Sequence, residues 1–473
     1  MSVSSSEREK LPEFQVLFES DDPDDPQNWP AWYKAWTIGT VSFCSLVVVL
    51  YSTSYIGSVS GLQEEFHVSR LVTTMGMTTY LVGLAFGSLV MAPMSELYGR
   101  RIIYISCLCV WAVCIFPCGA AQSVVGVLVP RLFSGFFGAA LVSNGPGTVV
   151  DVCKPKHLAM GMSVYSLGPF NGPVLGPLVG GFVFQYLGWR WTNWVILILG
   201  GFSIAIMLTV KETYAPEILK RRVARMQYQS GNKQWWCQYD QECSSMELIW
   251  KNLSRPLVLF FTEPIVWFIN VWNALIYGML YLCFIAYPIV FSEHRGWGPA
   301  KSGLSYLGIG VGIVLAVLSE PIIRRLINAQ PRNPTTGKPY PEAAALVMAI
   351  GAVLTPIGQF GFSWTGLPQS IHWAIPICFG IPFGAGNTLS FVYSSNYLAG
   401  SYGIFAASAL ASNAIIRSFF GAFLPLAGTK MYAALTPQIA GTLCGALQIV
   451  MIPIPLVFWR WGHKIRERSK LIQ

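Results

Sequence analysis

Two arginines stand where long apolar runs leave little room for charge. Arg131 lies among Leu, Val and Phe, followed by Gly135, Gly138, Ala139 and Ala140. A guanidinium there is costly unless it faces a polar interior, so its first reading is functional. Its alternative is snorkelling to the nearby outer surface. Arg417 sits deeper in its run, four residues after Asn413, where snorkelling explains less. It suits either an anionic ligand group or a pairing inside a helix bundle. A third cluster, Ala92 to Arg101, reads Ala-Pro-Met-Ser-Glu-Leu-Tyr-Gly-Arg-Arg. Gly99 fits a turn with positive φ, and Arg100 and Arg101 can reach Glu96 or lipid headgroups. The plainer reading is a positively charged cytosolic turn. A fourth feature repeats glycine every four residues, Gly168, Gly172, Gly176 and Gly180, with Pro169, Pro173 and Pro177 after the first three. That spacing puts the glycines near one helix face for close approach, while the prolines remove backbone donors. Such a segment can hinge, seal or simply pack.

Other chemistries lack their residues. The five histidines, His67, His157, His294, His372 and His463, are scattered, with no HExxH pair and no clustered metal ligands. No GxxxxGK[ST] loop is present, so neither a metal, a cofactor nor ATP drive is expected, and the chain is not read as an enzyme. The eleven cysteines lie mostly in apolar runs and read as small buried fillers. None of the 22 acidic residues falls deep inside an apolar run. A proton carrier needs a group whose pKa shifts between buried and exposed states, which leaves Glu96 and Asp151 as the candidates. Polar and aromatic residues near the middles of apolar runs sketch a ligand cavity: Tyr51, Tyr55, Tyr80, Tyr165, Asn171, Asn270, Asn273, Tyr277, Tyr281, Tyr306, Asn387 and Asn413, with Arg417. Phenols and amides in an apolar frame suit a bulky, partly apolar organic ligand. About half of them are expected to line it, the rest joining helices or facing lipid.

These residues need an apolar scaffold. Of 473 residues 53% are hydrophobic and only 11% charged, well under the charge of a soluble domain. The net charge of +9 is spread between apolar segments rather than gathered in a stripe, which argues against nucleic acid as a partner. Apolar runs predict twelve spans, roughly at 35–58, 71–94, 102–121, 125–149, 158–183, 191–210, 263–291, 302–320, 343–362, 371–397, 403–427 and 437–459. With both termini cytosolic, 24 Lys and Arg fall inside and five outside, which sets the orientation. The sequon at Asn252 then lies in the cytosol, out of reach of glycosylation. The polar, acidic start, with Asp21, Asp22, Asp24 and Asp25, does not read as a cleavable leader. The expected organisation is a tail (1–34), a six-helix bundle (35–210), a cytosolic loop (211–262), a second bundle (263–459) and a tail (460–473). The basic stretch Lys220, Arg221, Arg222 and Arg225 in the central loop reads as an anionic-lipid contact, with a regulatory partner as the alternative. Small residues recur in the fifth span of each half, which points to a six-helix repeat.

Three of these segments, in order, resemble the major facilitator superfamily: Glu96 to Arg101, Arg131 with Gly135, and Gly172-Pro173 through Gly176-Pro177 to Gly180-Gly181. Across about residues 24 to 470 the chain is similar to fungal drug:proton antiporters, through Asp25-Pro26-Gln27-Asn28-Trp29-Pro30, Ala92-Pro93-Met94-Ser95-Glu96, Glu263-Pro264-Ile265, His372-Trp373, Ala406-Ala407-Ser408-Ala409 and Ile452-Pro453-Ile454-Pro455. The resemblance implies an all-α membrane protein with twelve transmembrane helices in two pseudo-symmetric six-helix bundles that rock about one central cavity. It implies export of drugs or a secondary metabolite in exchange for protons, by a monomer in the plasma membrane, with the vacuolar membrane as the other address. It gives Glu96, with Arg100, the inner gate, Arg131 a part in proton coupling, and the glycine-proline helix a seal against leak. Uptake, uniport and a non-transporting sensor are the alternatives. Relatives often carry Asp at the position of Gly400 and Arg at that of Ala344, so the charge cluster at the inner side of the second half is depleted here.

Overall fold

The computed structural model describes residues 14–469 except 20, 155, 233, 240–254, 257, 333–338, 368, 403–405 and 468. The Asn252 sequon lies outside the described residues. Among those described, twelve helices are long and apolar enough to cross a bilayer. They are α1 (Ala31–Ser54), α2 (Arg70–Tyr98), α3 (Arg100–Gly119), α4 (Val124–Val152), α5 (Leu158–Leu187) and α6 (Trp189–Met207). The second six are α7 (Pro264–Pro288), α8 (Leu307–Leu318, led in by Pro299–Leu304), α9 (Glu342–Gly366), α10 (Ala374–Tyr402), α11 (Ala406–Ala434) and α12 (Pro437–Met451).

The halves repeat one packing scheme. In the first, α1 lies on α5, α2 on α4, and α3 on α4 and α6; in the second, α7 lies on α11, α8 on α10, and α9 on α10 and α12. The halves meet through two equivalent pairs, α2 against α11 and α5 against α8. The glycine stripe shows how such packing is built. A Cβ at Gly168, Gly172, Gly176 or Gly180 would strike the α1 backbone or Thr53, so the stripe seats α5 on α1 within its own half. Pro169 and Pro177 lack the N–H that would bind the carbonyls of Tyr165 and Pro173. Hydroxyls of α1 replace them: Ser42 donates to Tyr165 O at 2.8 Å and Thr53 to Pro173 O at 2.8 Å. No carbonyl freed at these two prolines is left bare in the apolar core.

Boundaries differ from the sequence reading where local chemistry intervenes. Helix α1 starts at Ala31 rather than 35, because Pro30 fixes the entry and aromatic Trp32 and Trp36 extend the apolar face outward. Past α12, Pro453 breaks the helix and Pro453–Arg466 continues it with a basic end, beyond the span limit placed at 459. The central loop, read as a connector, holds the helix Ala215–Ser230. Its buried Leu219 and Val223 pack with Val16 of the N-terminal tail and Cys237. Arg222, expected at lipid, instead forms salt bridges with Asp22 and Asp24, and Arg221 pairs with Glu217. The acidic tail and the basic loop are therefore partners, a contact that neither segment shows when read alone.

Candidate functional site

At one end of the first half, Gly99 (φ 88°) lets the chain turn directly from α2 into α3. The first N–H groups of α3 point into that turn without helical acceptors. Glu212, just past α6, accepts from Arg100 N at 2.9 Å and Arg101 N at 3.1 Å, placing an anion at a helix N-terminus. Arg100 is buried, with its Nε 2.6 Å from Asp151 Oδ2 and its guanidinium donating to Ser95 Oγ at 3.1 Å. Glu96 is exposed, forms no salt bridge among the described residues, and has Arg100 and Asp151 as its charged neighbours. Glu96, Arg100 and Asp151 are thus brought together; Glu212 was missed, because its sequence neighbours do not announce a turn 112 residues away.

Arg131 lies apart from this cluster. Helix α1 ends at Ser54 and passes into the 3-10 turn Tyr55–Ser58, leaving the last α1 carbonyls without helical donors. Arg131, fully buried, donates to Tyr51 O at 3.1 Å, Ser52 O at 3.3 Å and Gly76 O at 2.7 Å. Its guanidinium also lies 4.4 Å from the ring centres of both Tyr51 and Tyr55. It is a cation on a helix C-terminus that ties α4 to α1 and α2. It does not snorkel.

The sketched cavity residues divide into four places. Tyr277 and Asn387 line a cavity between Phe170 of α5, α7, α8 and α10. That space is narrow, about 10 Å³, room for about one water. Arg417 adjoins it, its guanidinium 4.4 Å from the Phe391 ring centre and 5.5 Å from that of Tyr277. Asn171 is not among its lining residues; it donates to Leu167 O and faces Gly310 of α8. Asn270, Asn273 and Asn413 instead form an amide chain between α7 and α11: Asn270 donates to Ser412 Oγ at 2.7 Å, Asn273 to Asn413 Oδ1 at 3.0 Å, and Asn413 to Asn270 Oδ1 at 3.0 Å. Tyr51 and Tyr165 are enclosed in the first half, bonded to Asn193 and to the carbonyls of Leu141 and Val142. Tyr55 and Tyr306 line a vestibule of about 260 Å³ between the halves, at the end opposite the Gly99 turn. The sequence reading missed Phe170 and Phe391, whose rings meet edge to face across the halves at 4.9 Å, since a phenylalanine in an apolar run looks the same facing lipid or cavity.

Among the described residues, the side-chain hydrogen bonds and the ion pair that join the halves lie toward the end of the bundles opposite the Gly99 turn. Ser52 and Tyr281 share a hydrogen bond of 3.1 Å, Thr78 donates to Ala422 O at 2.8 Å, Ala300 N to Gln185 at 3.0 Å, and Arg70 bridges to Glu293 at the vestibule. The narrow cavity therefore lies on the Gly99 side of these ties.

The sequence profile described as Major Facilitator Superfamily matches residues 41–425. The chain belongs to this superfamily. It is similar to a transporter of the ascochitine biosynthesis cluster from Didymella fabae, 39% identical over 95% of this chain and 87% of that one. It is likewise similar to a superfamily multidrug transporter from Aspergillus fumigatus, 39% identical over 97% of this chain and 76% of that one. A solved superfamily proton:xylose symporter, bound to a halogenated glucose, shares the fold with a TM-score of 0.65 at 13% identity, covering 92% of this chain and 96% of its own. The chain is a multi-pass membrane transporter of small organic compounds and not an enzyme, in the two-bundle fold its sequence predicts.

Proposed function

We propose that the chain exports drug-like compounds or a secondary metabolite from the cytosol by alternating access, in exchange for protons. The observation that carries export is the similarity, over nearly the whole chain, to proteins named as efflux pumps and as transporters of biosynthesis clusters. The structure supports alternating access through its outer closure over a midplane cavity, flanked by equivalent helix pairs that can rock. Proton exchange draws on the inner cluster. Arg100 pairs with Asp151 here while Glu96 stands free of a salt bridge, and a shift of Arg100 toward Glu96 would leave Asp151 able to take a proton. Arg131 enters this cycle as the clamp that keeps α1, α2 and α4 moving together, and the α5 glycine-proline stripe as the seam that keeps α5 seated on α1. The working unit is a lipid-embedded monomer in the plasma membrane.

The test is profiling of cells with and without the chain for retained drugs and metabolites, repeated after a protonophore collapses the proton gradient. Lower cellular content that recovers on collapse is the expected result. Efflux from loaded vesicles that ignores an imposed pH gradient would remove proton drive. Saturable binding with no net flux would make the protein a sensor.

A further inference from the structure

Arg417 is a half-buried cation within α11 that faces no carboxylate among the described residues. It projects from the face of α11 that carries Asn413 and Gly421, the face packed on α7. Its Nε is buried with no hydrogen-bond partner. The titratable groups that act on it are phenols, Tyr277, Tyr165 and Tyr281, and among the described residues it forms no salt bridge. A guanidinium held this way is under-satisfied, since it presents a fork of N–H donors matched to a carboxylate. Its surroundings are aromatic: Phe391 and Tyr277 flank it, and Phe170 from the other half closes edge-on over Phe391.

Resting on the transport reading above, we propose that the central site takes a planar aromatic organic anion, its carboxylate on Arg417 and its ring between Phe391 and Tyr277. The ring enters where Phe170 and Phe391 part, because the closed cavity has room for about one water. Uncharged analogues of the same shape leave the guanidinium bare and bind less well. The amide chain of Asn270, Asn273 and Asn413 fixes α11 against α7 and so holds Arg417 in register.

The experiment uses the purified full chain and calorimetric titration at neutral pH with naphthoate and its uncharged amide, naphthamide. The wild-type chain is expected to bind naphthoate at least about tenfold more tightly, the worth of a charged hydrogen bond over a neutral one. Arg417→Gln abolishes that preference and Arg417→Lys retains part of it. Phe391→Ala weakens both ligands and leaves the preference in place, so the assignment does not depend on one variant folding. Equal binding of the two ligands by the wild-type chain, or a preference that survives Arg417→Gln, overturns the proposal. Counterflow in liposomes reads transport separately. A chain that prefers naphthoate yet moves neither ligand keeps the anion site and loses the exporter reading.

Discussion

Arg131, buried, and Arg417, half-buried, are arginines within helices of opposite halves, and their environments could hardly differ more. Arg131 has three backbone carbonyls and two flanking tyrosines, all from its own half. Arg417 has rings, phenols and an Nε with no acceptor. The same residue type in the same kind of apolar run is finished structure in one place and an open valence in the other. A cation held by backbone carbonyls stabilises the fold around it; one flanked by rings, with an Nε that has no acceptor, is available to something that arrives.

The largest expected effect breaks the comparison if it fails. Arg131→Ala leaves the carbonyl ends of α1 bare and opens a hole between α1, α2 and α4, so it should cost about 3 kcal/mol of stability. Arg417→Ala removes a poorly satisfied charge and should change stability by less than about 1 kcal/mol in either direction. Thermal unfolding of both variants in the same detergent separates them. Equal losses would mean that hydrogen-bond satisfaction does not distinguish the two sites.

How far the sequence carried this contrast follows from what each signal requires. The twelve spans and a close-packing face on α5 were legible, because hydropathy runs and the four-residue glycine spacing are local properties of a helix; which helix that face receives was not. The nearness of Arg100 to Glu96 was legible from the shortness of the turn at Gly99, whereas the pairing of Arg100 with Asp151, 51 residues on, was not. What Arg131 does was not legible, since two of its acceptors are carbonyls released where α1 gives way to a 3-10 turn and the third is a carbonyl within α2, and no residue type marks such a carbonyl. Nor could Asn270, Asn273 and Asn413 be told from ligand-facing amides, as their partners lie about 140 residues away. The pairing of Asp22 with Arg222 was hidden for the same reason, each charge having an adequate solvent-exposed reading of its own.

A second, smaller effect tests whether the first half owes its finish to charge pairing as well as to Arg131. The Arg100 and Asp151 side chains are 8% and 15% exposed, enough to keep water from screening them fully. Asp151→Asn should cost about 2 kcal/mol, less than loss of the arginine itself because Ser95 Oγ still accepts from Arg100 and the Tyr214 ring lies 5.2 Å away. Thermal unfolding measures it. A loss below that of Arg417→Ala would place the inner cluster with the open sites.

The smallest effect concerns the contact between tail and loop. Hydrogen bonds from Arg222 hold the Asp22 carboxyl below its ordinary range, while the arginine is raised and stays charged throughout. A carboxyl whose folded pKa is depressed contributes stability that is present above its unfolded value, near about 3.9, and is lost as pH falls through the folded one. Docking of the tail should therefore be flat from about pH 8 to 5 and weaken only below about pH 4. Its worth is about 1 kcal/mol or less, because Arg222 is 24% exposed and Asp24 63%. Deuterium exchange over residues 14–19 and over Ala215–Ser230 reads it directly, and added salt should raise exchange in both segments together. Exchange that changed between about pH 8 and 5 would show that some other group holds the tail. Exchange that did not respond to salt would instead leave the apolar contact of Val16 with Leu219 and Val223 to carry the dock.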